Sequence, residues 1–458
     1  MSAGTALLAS PPDLQFARSQ MALSLGWHII IACFGVVFPS MVLFAEWRAG
    51  RRQDRDLEAL AHTWAKAMGV LFATGAVSGT ILSFEMGTLW PGLMSKFGEI
   101  YGFPFTMEGF AFFIEAIFVG VYLFGWDRLS HRAHLLAGLP MVVAGIAGAF
   151  FVVAANAWMN TPRGFTLRDG ELTDVNLTAA MFNPSTFPET VHLLVGAVMV
   201  TGFCIASVYA VGMLRGRRDR YHRFGLLIPL TAASVAAPLQ ILIGDWIAGV
   251  VAHEQPLKLA AMEALSQSGT HVPLAVGGIY INGELKGAIK IPDGLSLLVD
   301  RNPSGTVKGL DIAPPELRPP VNITHLSYDA MVGLGTALLA LAAWYAFIWW
   351  RRRDLPRSSW FFRGVALSGL AAVAAFEAGW VATEVGRQPW IVYEIQLTRD
   401  AVSTATGLRY GFYLVAVVYV VLTWLTVFVL RRLAVRHETL APQEPESTGP
   451  TVRERAAK

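Results

Sequence analysis

Apolar residues in this 458-residue chain run in long blocks, with little of the alternation a half-buried strand would show. The blocks fall at roughly 21–46, 64–89, 104–126, 135–159, 188–214, 224–249, 326–350, 361–384 and 408–430. Each holds at least the ~20 residues that a helix needs to cross the hydrocarbon of a bilayer. The pattern predicts an all-α, polytopic integral membrane protein of nine transmembrane helices. The first block is too long for a signal-peptide core and has no small-residue cleavage site, so it reads as retained. Residues 1–249 would carry six helices, 250–325 one long outer loop, 326–436 three more helices, and 437–458 a disordered polar tail.

Composition agrees with this reading. Hydrophobic residues make up 54% of the chain and charged residues 15%, well below the quarter that soluble domains carry. The stretches "EWRAGRRQDR", "DRLSHR", "RGRRDRYHR", "RRRDLPR" and "RRLAVRH" flank alternate ends of the blocks. By the positive-inside rule these ends are cytoplasmic, which puts the N-terminus outside and the C-terminus inside. The net charge of +3 reflects these anchors, and no nucleic-acid footprint is present. Cys33 and Cys204 lie in different blocks and outside any CxxC or CxxCH motif, so they read as packing residues.

Within the outer loop, "AHEQPLKLAAMEAL" reads as a short helix, and Asn282-Gly283 in "GGIYINGELKGAIKI" reads as the turn of a β-hairpin. A loop this long between membrane helices tends to act as a lid or a binding segment. Ionisable groups inside the membrane are costly and mark function. Of ten histidines, only His28 and His192 lie well within blocks. Glu108 and Glu115 share the third block, and seven residues at about 100° each return them to one face. Such a pair suits a proton route, cofactor ligation or an inter-helix hydrogen-bonded pair. His28, His192, Met331, Glu384 and Glu108 all fall in the outer half of the membrane, next to the long loop, with Glu115 deeper.

The chain resembles subunit I of the cytochrome bd-type quinol oxidases along almost its whole length. The resemblance rests on "RSQMALSLGWH", "FPFTMEGFAFFIEAIFVGVYLFGWDR", "AANAWMNTP", "NPSTFPETVH", "IGDWIAG", "KLAAME", "MVGLG" and "EAGWVATEVGRQPW". It implies three haems, two of type b and a haem d or further haem b that reduces oxygen. His192 and Met331 would be the axial pair of the low-spin haem, and His28 and Glu384 axial ligands at the oxygen site. Trp380 and Arg387 would join the cofactor-binding set, Arg387 balancing Glu384 or a propionate. Glu108 would be a carboxylate beside the oxygen site and Glu115 one on the inner proton route. Lys258 and Glu263 would bind ubiquinol or menaquinol. A second large membrane subunit, a small single-helix subunit and a bacterial inner-membrane location complete the expectation.

The ligand count agrees with a mixed set. Three haems held by paired histidines would need six, and the membrane interior offers two. Methionine and carboxylate ligands are then required, and methionine opposite histidine raises a haem's potential. Two positions depart from the best-known members, Asp329 standing where they have arginine and Gly148 where some have serine. Together with the short loop, these features resemble the cyanide-insensitive branch, in which haem b can replace haem d. The residues alone leave two rival functions open: a proton-coupled transporter using Glu108, Glu115 and Glu384, or a haem electron-transfer subunit without oxygen chemistry.

Overall fold

The computed structural model describes residues 13–440. Among them are nine helices long and apolar enough to span a membrane. They are α1 (Leu14–Arg52), α2 (Arg55–Leu89), α3 (Pro91–Gly125), α4 (His131–Asn160), α5 (Thr186–Leu214), α6 (Arg220–Glu254), α7 (Val321–Arg352), α8 (Ser359–Gly386) and α9 (Leu408–Leu440). Each apolar block lies within one of these helices, apart from Trp126 one residue past the end of α3, and most helices continue for one or more turns past the block. The expected tail from 437 begins four residues later at the earliest, since α9 reaches Leu440, and the rest of it lies outside the described residues.

The helices pack as neighbours in sequence: α1 on α2, α3 on α4, α5 on α6, and α7 on α8. A second set of contacts, α5 with α8 and α1 with both α4 and α5, closes the bundle. Short turns join helices at the arginine-rich end, and side chains cap the helices that leave them. Asp54 accepts from the backbone N–H groups of Asp56 and Leu57, and Asp219 from that of His222. These caps satisfy donors that a helix start leaves free. Ion pairs of Arg220 with Asp54 (2.5 Å) and of Arg223 with Asp354 (2.6 Å) tie the turns to one another.

At the opposite end Trp90 alone joins α2 to α3, while the other connections are long and carry small ribbons. Thr166–Arg168 pairs with Glu171–Thr173 in the α4–α5 connection. The hairpin expected at Asn282-Gly283 is present, joining Ile279–Ile281 to Glu284–Lys286, with both turn residues at positive φ (51° and 86°) as a type I′ turn requires. The expected helix "AHEQPLKLAAMEAL" is divided. Helix α6 absorbs its first residues through Glu254, and a separate helix, Pro256–Met262, follows. Pro256 explains the break, because it cannot donate to the preceding turn and forces Gln255 out of helical backbone. The loop therefore spans 255–320 and packs on the bundle through Leu257, Leu259 and Leu310, all buried.

Candidate functional site

Three iron-donor side chains predicted from the sequence lie on the loop half of the bundle, each against a glycine. His28 of α1 lies 2.7 Å through Nδ1 from the hydroxyl of Ser78 on α2. The same hydroxyl lies 3.0 Å from the backbone carbonyl of Gly75. With the hydroxyl donating to that carbonyl, Nδ1 of His28 donates to the hydroxyl and Nε2 keeps a free lone pair, the form that binds a metal. Gly79 faces the ring so closely that a Cβ there would come within 3.1 Å of Cε1.

His192 of α5 has no partner for Nδ1, and its Nε2 is 3.2 Å from the side-chain amide of Gln240. Met331 of α7 turns its sulfur against Gly379 of α8, where a Cβ would come within 2.8 Å. An imidazole edge without a partner, a thioether given room by glycine and an imidazole anchored through Nδ1 form a donor set that fits haem iron.

Glu384 and Arg387 sit one turn apart at the end of α8, joined at 2.5 Å. The other Glu384 oxygen accepts from Asn156 of α4 at 2.6 Å. Arg387 is 3% exposed, yet its Nε and Nη1 have no partner among the described residues. A buried guanidinium with two spare donors fits a propionate or other carboxylate. Trp380, half-buried, lies one turn before Glu384 on the same helix.

Glu108 and Glu115 share a face of α3 and are close enough to interact electrostatically. Glu115 is buried in a cradle of small residues: a Cβ at Gly145 of α4 would meet its Oε1 at 3.4 Å, and one at Gly35 of α1 at 4.0 Å. Gly148 lies one turn from Gly145, beside Ala111.

Lys258 and Glu263 were expected on the loop helix as quinol-binding residues. Both are buried, at 3% exposure, and they face different ways. Lys258 points into the bundle and donates to Asn160 of α4 at 2.8 Å. Burial pulls its ammonium below its ordinary value, while Glu189 of α5 pulls it up. Glu263, just past the end of its helix, has no partner for either oxygen. Burial, with Asp329 adding to it, pushes that carboxyl up to about 8.

Asp329 has a role of its own here. It accepts from the backbone N–H of Gly277 in the loop at 2.7 Å and lies 3.4 Å from the ring of His325. Both His325 nitrogens meet backbone carbonyls, Met262 O at 2.7 Å and Gly277 O at 3.1 Å. Carbonyls only accept, so whichever ring nitrogen carries the proton donates to the loop backbone, with Asp329 at the ring's edge. The acid in the place of the family's arginine thus pins the loop to α7, two residues before Met331.

A groove of about 370 Å3 opens at the loop end of α6, lined by Asp245, Trp246, Gly249, His253, Glu254 and Arg301 among others. Arg301 pairs with Asp245 across it. Neither this groove nor the buried Asn160 and the half-buried Glu189, Glu377 and Asn156 was singled out from sequence. The carboxylates carried a usable signal, being ionisable groups inside apolar blocks. The asparagines and the groove did not, because their partners come from distant parts of the chain.

Comparison with known proteins gives a consistent result. The profile of the family described as cytochrome bd terminal oxidase subunit I matches residues 16–438. A putative cytochrome bd menaquinol oxidase subunit I of Bacillus subtilis is 36% identical over 91% of this chain and 96% of its own length. A cytochrome bd ubiquinol oxidase subunit 1 of the same organism is 30% identical over 92% and 93%. The solved bd oxidase of Geobacillus thermodenitrificans superposes with a TM-score of 0.87 at 35% identity, covering 93% of this chain and 99% of that one. The nine helices and these matches make this chain a member of the cytochrome bd terminal oxidase subunit I family, respiratory oxidoreductases of the membrane.

Proposed function

We propose that this chain is the haem-bearing subunit of a quinol oxidase that oxidises quinol at the loop face and reduces oxygen to water. The observation that carries the reading is the set of His28, His192, Met331 and Glu384 in the half of the bundle beneath the loop. Two haems b and a haem d or third haem b supply the one-electron steps and the place where oxygen is reduced. His192 and Met331 hold the low-spin haem. His28 and Glu384 serve the oxygen site, with Trp380 beside it and Arg387 neutralising Glu384 or a propionate.

Quinol binds from the groove at Asp245, Trp246 and Arg301, where the exposed tryptophan suits a ring and the paired charges suit its oxygens. Glu263 takes up a proton from it, and Lys258 fixes the loop from within. The relatives' names include both a menaquinol and a ubiquinol oxidase, and either quinol has the ring and oxygens this groove would meet. Glu115 passes protons from the arginine-rich face toward Glu108, so turnover separates charge without a pump.

The loop face is the outer face, the N-terminus lies outside and the C-terminus lies in the cytoplasm of a bacterial cell. A second large membrane subunit and a small single-helix subunit complete the enzyme. Purified with its partner subunit, the protein should consume oxygen with a quinol as electron donor. Absence of quinol-dependent oxygen uptake in a preparation with full haem content would contradict this reading.

A further inference from the structure

Four hydrogen bonds, buried at the loop end and part-buried beyond it, run in series from the outer loop to Glu384 and Arg387. Lys258 Nζ donates to Asn160 Oδ1 at 2.8 Å, and Asn160 Nδ2 donates to Asn156 Oδ1 at 3.0 Å. Asn156 Nδ2 donates to Glu384 Oε1 at 2.6 Å, and Arg387 Nη2 holds the other Glu384 oxygen at 2.5 Å. Asn160 is fully buried, and Lys258 and Arg387 are nearly so.

The direction of the series is fixed by its two ends. An ammonium only donates, so Asn160 must turn its oxygen to Lys258 and its NH2 to Asn156. A carboxylate only accepts, so Asn156 must turn its NH2 to Glu384 and its oxygen to Asn160. Flipping either amide would break a bond on both sides of it. The two asparagines lie four residues apart on α4, hence on one face, and the loop helix also packs directly on the end of α8, where a Cβ at Gly386 would come within 2.8 Å of Lys258 Cγ. Such a chain between opposite charges polarises along its length. Side-chain amides neither release nor take up protons near neutral pH, so the series transmits position and field and carries no proton.

We propose that Asn160 and Asn156 are positioning residues that set the orientation of the Glu384 carboxylate from Lys258, so that the loop and the oxygen site are mechanically linked. The proposal rests on the reading of Glu384 as a haem ligand. It assigns Lys258 a second role beside any contact with quinol, because its ammonium faces into the bundle and away from the groove at Asp245 and Trp246. A partner behind a metal ligand typically alters affinity or activity at the metal by 10–100-fold when removed.

The test uses the purified oxidase complex and reads the high-spin haem through its absorption band and its carbon monoxide affinity, with the low-spin haem as the internal control for folding. Asn160→Leu and Lys258→Met should each shift the high-spin band and weaken carbon monoxide binding about tenfold, leaving the low-spin band in place. Asn160→Gln, which keeps the amide, should restore much of the difference. The double variant should be no worse than either single one, since both cut the same series. A high-spin haem unchanged in Asn160→Leu, in a preparation where Glu384→Ala removes it, overturns the linkage alone. A high-spin haem that survives Glu384→Ala overturns the ligand reading and the linkage with it.

Discussion

The two ends of the bundle treat buried polar groups differently. At the arginine-rich end Glu46 of α1 is buried, and its oxygens are fully engaged: Tyr122 donates to it at 2.6 Å, His134 lies at 2.8 Å, and His131 at 3.5 Å. His134 uses its second nitrogen on the carbonyl of Tyr122 at 2.9 Å and stacks on the Tyr122 ring at 4.2 Å between centroids. In the loop half, His192, Glu263, Glu377, Gln255 and Arg387 all hold buried atoms without a partner in the chain. Buried polar groups without partners are rare and costly, so those that a fold retains call for another explanation. One end is built for stability, whereas the other keeps donors and acceptors for molecules that the chain binds.

That contrast yields ordered consequences. The largest is at His192: replacement by Ala should abolish the low-spin haem signal in a reduced-minus-oxidised spectrum while some carbon monoxide binding remains. An intact low-spin band would remove His192 from the ligand set.

Next comes Glu263, whose carboxyl is held up at about 8 by burial and Asp329. To accept a proton from quinol it must first be ionised, so quinol oxidation should rise with pH through about 8. Glu263→Gln should lower quinol oxidation about 100-fold, the range of a missing acid–base group, and flatten that rise, yet spare oxidation of an artificial donor that reduces the haems directly. Equal loss with both donors would place the defect in haem content.

Glu115→Ala should slow steady-state turnover roughly tenfold at normal haem content, less than the roughly 100-fold of a group that reacts directly with substrate, with Glu115→Asp intermediate. Full turnover in the alanine variant would leave only a packing role for this carboxylate among Gly35 and Gly145. The smallest effect belongs to the other end. Glu46→Gln should cost about 1–3 kcal/mol in thermal denaturation, as expected when a buried network loses a charged acceptor, with every haem band unchanged. A haem change there would erase the distinction between the two ends.

How much of this could be read in the chain depends on the range of the interactions involved. The nine spans were legible because the hydrocarbon thickness sets a local rule that each apolar block satisfies by itself. His28, His192 and Glu384 were legible for the same reason, as ionisable groups in apolar surroundings. Asn282-Gly283 announced its turn through backbone conformations that few other pairs adopt. The burial of Lys258 could not be read, because a lysine in a loop is ordinarily solvated and its partner Asn160 lies 98 residues away. The work of Asp329 was hidden likewise, since the loop backbone it holds at Gly277 is 52 residues distant. Pro256 did signal the break between α6 and the loop helix, but the apolar residues on both sides obscured it.

The most direct test of the whole account is a reduced-minus-oxidised absorption spectrum of the purified protein with its partner subunit, recorded with and without carbon monoxide. The account predicts bands of both low-spin and high-spin haem, with carbon monoxide shifting only the high-spin component. Haem bands that carbon monoxide leaves untouched, or no haem bands in a folded preparation, would contradict it.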